Sequence, residues 1–210
     1  MSKILNNIIN IILSLTILTL LILIIYCSCR ENMVTSVIDN NEYKVLEWMD
    51  NPYEAADELA KINKFNMELI NSLLKNPKNS IQYLLGTRLK NRYKRSSLFE
   101  NDPPDKYNTS YTEDKGRTLA LCLREEKSKD LHDFNTLQFV SSHELAHIAS
   151  INYGHDEEFW SNFYILLKEA KKCCKYDPQN YSKNPINYCS LDVDYNPYFD
   201  EAYILKNDFI

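Results

Sequence analysis

Hydrophobic positions crowd the amino end of the chain and become periodic only later. Between Lys3 and Arg30 no charged side chain occurs, and the run from Ile4 to Tyr26 is broken only by Asn6, Asn7, Asn10, Ser14, Thr16 and Thr19. A helix rising ~1.5 Å per residue would carry that run across roughly 34 Å, the reach of a bilayer core. The pattern predicts a single-pass transmembrane anchor over residues 1–30, with membrane contact through residues 4–26. The competing reading is a signal peptide cleaved near Ser28 and Cys29. With the anchor kept, Cys27 and Cys29 would lie at the membrane edge, where acylation is possible on a cytoplasmic face.

Residues 31–50 read as a polar linker. From Tyr53 to about Lys75, Ala55, Leu59, Ile62, Leu69 and Leu73 recur at helical intervals behind Pro52, and a second helix follows Pro77, from Asn79 to about Tyr93. A turn-rich stretch from Asn101 to Asp105 ends that period. Thr109–Thr112 reads as extended. After a turn at Asp114, Lys115 and Gly116, residues Arg117–Glu125 alternate, with Leu119, Leu121 and Leu123 on one face and Ala120 and Cys122 on the other, as a strand does. A third helix, capped by Asp133 or Asn135, runs to about Ile151. A fourth opens with Asp156, Glu157 and Glu158 and carries Phe159, Phe163, Leu166, Leu167 and Ala170 along one face. The expected class is α+β, mainly helical, with a small sheet or hairpin beside the third helix.

Composition narrows this picture. A length of 210 residues suits one core-bearing domain, placed at 51–210, and 44% hydrophobic with 25% charged residues excludes a disordered chain. The net charge is -5, and the first 30 residues hold no acid, so the acid excess lies in the body. Such a body is a poor match for phosphate backbones, and nucleic acid is not expected as a partner. One basic cluster stands out at the end of the second helix: Arg88, Lys90, Arg92, Lys94 and Arg95. It suits either a solvated helix end, where cations are favoured, or a contact for something acidic. Cys122, Cys173, Cys174 and Cys189 lack paired C-x-x-C spacing, so no metal is assigned to them. They could form two bridges in an oxidising compartment and act as small apolar residues in a reducing one.

The third helix carries the chemistry. His143 and His147 stand one helical turn apart, so both rings can face one ion. Glu144 is one step round the helix, where a general base can reach metal-bound water without occupying a coordination position. A catalytic zinc site keeps three protein ligands and leaves one position open. His155 fits the third place, beyond Asn152, Tyr153 and Gly154, which can end the helix and turn the chain back. Three of the four histidines thus fall between 143 and 155. Ser150 and Tyr153 exclude the metzincin pattern, which needs Gly and His there. Glu169 is a minor alternative third ligand, and His132 reads as a structural loop histidine.

The stretch His143, Glu144, Leu145, Ala146, His147, then Gly154, His155, Phe159 and Trp160, resembles the WLM metallopeptidases, relatives of the SprT-like zinc proteases. Upstream the resemblance takes in Thr109–Thr112, Lys115, Gly116 and Leu121–Arg124. Downstream it takes in Asn184, Pro185, Tyr188, Cys189, Asn196 and Pro197, a pattern similar to the WLM-like proteins of large DNA viruses. It implies a minimal zincin-like domain, one Zn²⁺ held by His143, His147 and His155, and Glu144 as base. It also implies an edge strand, placed at Arg117–Glu125, that pairs with extended protein or peptide substrate. The expected activity is that of a membrane-anchored metallopeptidase, in which Glu144 assists attack of zinc-bound water on a peptide bond. The alternatives are a non-catalytic, zinc-stabilised viral or membrane component and a DNA–protein crosslink protease.

Overall fold

Residues 2–28, 33–46, 48–101, 109–125 and 127–208 are described by the computed structural model, whose contacts divide the chain into Met1–Asn32 and Met33–Ile210. Cys29, Arg30 and residues 102–108, which include most of the turn-rich stretch, lie outside the described residues, as does the side chain of Cys27.

The smaller unit contains helix α1 (Ser2–Ser28). The helix forms where the apolar run suggests, but among the described residues no helix is long and apolar enough to cross a membrane. This corrects the expected transmembrane anchor and the membrane localisation. Polar positions interrupt its surface. Asn7 and Asn10 are exposed on the helix, and the hydroxyls of Ser14, Thr16 and Thr19 donate back to the carbonyls of Asn10, Leu13 and Thr16.

In the larger unit the elements run β1 (Met33–Thr35), β2 (Glu42–Lys44), α2 (Pro52–Leu73), α3 (Ile81–Arg92), β3 (Leu98–Glu100), β4 (Tyr111–Glu113), β5 (Thr118–Leu121), α4 (Phe134–Ala149), α5 (Glu157–Cys173), β6 (Ile186–Tyr188), β7 (Leu191–Val193) and α6 (Glu201–Asp208). The stretch expected as a linker therefore supplies two strands. Val34 and Tyr43 point their side chains into the core while their neighbours face out, an alternation too short to read from sequence. The strands form one sheet in the order β1-β2-β3-β5-β4. β2, β3 and β5 run parallel, and β1 and β4 are antiparallel to their single neighbours. A separate hairpin joins β6 and β7.

The core lies between the sheet and α2, α4 and α5. Leu59, Ile62, Leu69 and Leu73 of α2, Leu137 and Leu145 of α4, and Phe159, Phe163 and Leu166 of α5 are fully or almost fully buried. Each such side chain contributes about 1.5–3 kcal/mol by leaving water. Leu119, Ala120 and Leu121 are all buried, so both faces of β5 are covered, and the strand is also interior to the sheet.

Polar ties lock the sheet to its surroundings. Glu100 and Arg124 form a buried pair at 2.8 Å, and the second Glu100 oxygen accepts the Leu46 N–H at 2.8 Å. Arg124 also donates to the Asp50 carbonyl at 2.7 Å. A disulfide joins Cys122 to Cys189, fastening the end of β5 to the β6–β7 turn, and a second joins the neighbours Cys173 and Cys174.

Candidate metal centre

Helix α4 begins at Asp133, whose carboxylate accepts the Thr136 N–H at 3.0 Å. Of the two caps the sequence offered, Asp133 serves; Asn135 instead exchanges hydrogen bonds with the backbone of Asp177. The far end of α4 is held by cations from other elements. Arg88 donates to the Ala149 carbonyl at 3.1 Å, Arg92 to those of Ile148 and Ser150 at 2.6 and 3.0 Å, and Lys115 to that of His147 at 3.2 Å. Positive charge is favoured at a helix carboxyl end, and here it also satisfies carbonyls left without helical partners. Two members of the basic cluster are thus turned toward α4.

After Ser150 the chain crosses an exposed loop to α5. Gly154 adopts φ +84°, a left-handed conformation in which a side chain would be strained. Asp156 then caps α5, accepting the Phe159 N–H at 2.9 Å. The loop is fixed further by Glu158, which accepts the Ile151 N–H at 2.9 Å and pairs with Arg88 at 2.9 Å.

These elements bring His143, His147 and His155 together. Their Nε2 atoms form a triangle with sides of 3.2, 3.1 and 3.1 Å. Ligand nitrogens ~2.0–2.1 Å from a tetrahedral zinc lie about 3.3 Å apart, so the triangle is close to the size such an ion requires. The donor set could hold a metal ion. Phe159 supports the three rings together: it stacks on His147 at 4.2 Å and meets His143 and His155 edge-on at 4.8 and 4.6 Å.

Electrostatics favour neutral, ligating imidazoles. Burial, followed by the neighbouring histidines, lowers His143 well below its usual value. Burial, followed by His155 and Lys115, brings His147 down to about 4, and burial lowers His155. Glu144 is buried beside them, and Oε2 of its carboxylate has no hydrogen-bond partner. Without a cation nearby, burial pushes this carboxyl up to about 8. A cation at the histidines would pull it back down, since opposite charge favours the ionised form. An orphaned buried acceptor next to three clustered imidazoles fits a site built for a cation and a polar molecule together.

The four residues open onto a cleft of about 240 Å³, also lined by Ser110, Tyr111, Thr112, Lys115, Tyr153 and Gly154. β4 therefore forms one wall. It is also an end strand of the sheet, whereas β5 lies between β3 and β4. The edge expected at Arg117–Glu125 is corrected to Tyr111–Glu113. Glu169 does not join the site: it bonds Ser72 of α2 and Lys172. His132 also stays apart, with Nε2 3.2 Å from the Cys189 sulfur and its ring against Tyr188. Sequence reasoning counted Phe159 as ordinary core and gave Lys115 no role. The turn signal at Asp114–Gly116 was visible, but not the helix end toward which it folds.

No family model matches the chain. An uncharacterized protein of Acanthamoeba polyphaga mimivirus, R325, is 36% identical over 189 residues, covering 89% of this chain and 95% of that protein. Uncharacterized protein 042R of Invertebrate iridescent virus 3 is 42% identical over 84 residues, 39% of this chain and 50% of that protein. Uncharacterized protein 136R of Invertebrate iridescent virus 6 is 36% identical over 63 residues, 29% of this chain and 35% of that protein. Among solved structures, the crystal structure of Wss1 from Saccharomyces cerevisiae is similar at a TM-score of 0.45 and 18% identity, over 61% of this chain and 85% of that one.

Proposed function

We propose that this chain, which belongs to the family of the mimivirus protein just described, is a zinc-dependent peptidase of the WLM type acting on extended protein segments. The observation that carries this reading is the convergence of three Nε2 atoms beside a buried carboxylate with an unpartnered oxygen. His143, His147 and His155 would hold the ion. Bound there, zinc supplies Lewis acidity, making water easier to deprotonate and a peptide carbonyl easier to attack.

The chain's own residues supply the rest. Glu144 takes a proton from water in the cleft, and the same carboxyl then returns it to the leaving amine. Its burial keeps bulk water from competing for that proton. Phe159 holds the imidazole planes in place, so little rearrangement accompanies the reaction. β4 is an end strand of the sheet among the described residues and runs along one wall of the cleft, a backbone template that an extended peptide can pair with and a folded domain cannot.

Glu144→Gln in the full chain tests the mechanism. Zinc content should stay at one ion per chain, while cleavage of an unfolded protein substrate falls about 100-fold or more. Undiminished cleavage with zinc retained would remove Glu144 from the chemistry. Wild-type protein that takes up no zinc would end the peptidase reading altogether.

A further inference from the structure

The loop between α4 and α5 carries the third histidine but is itself exposed: Ile151 and Tyr153 show 62% and 76% of their surface. His143 and His147 are fixed by the helix they belong to. His155 lies beyond a glycine whose surroundings are open, with nothing within 4 Å of where a Cβ would be. A ligand in that setting needs an external hold. The turn between β4 and β5 provides one.

Lys115 belongs to that turn, where Asp114, Lys115 and Gly116 all have positive φ. Gly116 lets the turn approach α4 closely: a Cβ there would lie 3.0 Å from the Arg92 carbonyl and 3.2 Å from Ile148. From this position Lys115 Nζ donates to the His147 carbonyl at 3.2 Å and to the Asn152 carbonyl across the loop. The same ammonium lies 4.4 Å from the centre of the Tyr153 ring. One cation thus grips the helix end that bears His147 and the two loop residues just before Gly154 and His155.

We infer that Lys115 is a positioning residue that holds the His155 loop against α4 and so completes the three-histidine ligand set. This rests on the reading of the trio as a zinc site. Lys115 lines the cleft, but its donors are committed to two backbone carbonyls and its charge to an aromatic face, an arrangement that fixes the loop rather than binds substrate. Groups that orient metal ligands from outside the coordination shell commonly contribute about 10–100-fold in affinity. Lys115 is expected to act on that scale. It also joins the wall on which a peptide would lie to the ligand most easily displaced, because β4 ends one residue before the turn.

The test uses full-length wild type, Lys115→Met, Lys115→Gln and Lys115→Arg, with zinc affinity measured by chelator competition and the ligand set read from the visible spectrum of the Co²⁺ form. Lys115→Met and Lys115→Gln should bind zinc about tenfold or more weakly. Their Co²⁺ absorption should change in shape and intensity as His155 leaves the set, and Lys115→Arg should restore most of both. Lys115→Gln keeps an N–H donor, so it serves if Lys115→Met does not fold. Wild-type affinity in both variants would overturn the inference while leaving the zinc reading intact. So would weaker binding with an unchanged Co²⁺ spectrum, since that would mark a general loss of stability. Absence of zinc binding by the wild type would instead overturn the zinc reading and this inference with it.

Discussion

Burial and mutual repulsion keep the site imidazoles neutral in the folded chain, with His147 held down to about 4, whereas an unfolded chain protonates them near pH 6.5. Between those values the unfolded state binds more protons, so this contribution to stability is lost as pH falls from about 6.5 toward 4. Glu144 works the other way. Its folded value of about 8 lies above that of an unfolded carboxyl, so its contribution is lost as pH rises through the interval up to 8. The two trends overlap and partly cancel in metal-free wild type. In metal-free Glu144→Gln the histidine part remains, joined by His132, which burial also lowers, and the urea midpoint should fall steadily from pH 7 to pH 5. A midpoint insensitive to pH in that variant would mean that the three rings are not held neutral by the fold.

At the scale of elements, the two disulfides should contribute very differently. The bridge from Cys122 to Cys189 spans a sequence separation of 67, and closing so long a loop in the unfolded chain is worth about 4 kcal/mol on the chain-entropy account. The bridge between Cys173 and Cys174 closes no loop of consequence. Paired Ser substitution at 122 and 189 should therefore lower the denaturation free energy by roughly 2–4 kcal/mol, and at 173 and 174 by a small fraction of that. Equal effects from the two pairs would contradict this account. Elements were also where the sequence was most readable. Pro52, Pro77, Asp133 and Asp156 stand at or shortly before helix starts, and the observed helices lie within a few residues of the expected ones. β1 and β2 escaped notice because three residues are too few to display a period. β5 was visible as a strand, but whether it lay at an edge depended on partners far away in sequence.

For the molecule as a whole, the buried pair of Glu100 and Arg124 joins β3, the segment after β5 and the chain leading into α2. Removing one partner leaves the other charge buried and unmatched, so Arg124→Met or Glu100→Gln should cost about 3–5 kcal/mol in urea denaturation. A loss under about 1 kcal/mol would mean that water reaches the surviving charge. Neither residue announced this role, since a charge in sequence is by default a surface charge. The same holds for Arg88 and Arg92, whose carbonyl partners lie more than fifty positions away. The candidate site was legible for the opposite reason: its three histidines are neighbours. His143 to His155 enclose a short loop, whereas Lys44 must find Phe99, and Leu98 must find Leu119, before the sheet exists. Closing a short loop costs less entropy than closing a long one, and helices form faster than strands pair at a distance. The helical hairpin of α4 and α5 can therefore capture an ion early in refolding and bias the search that follows. On the proposed zinc reading, the ion would act as a nucleating partner as well as a reagent, and it would shorten the period in which unpaired strands are open to aggregation.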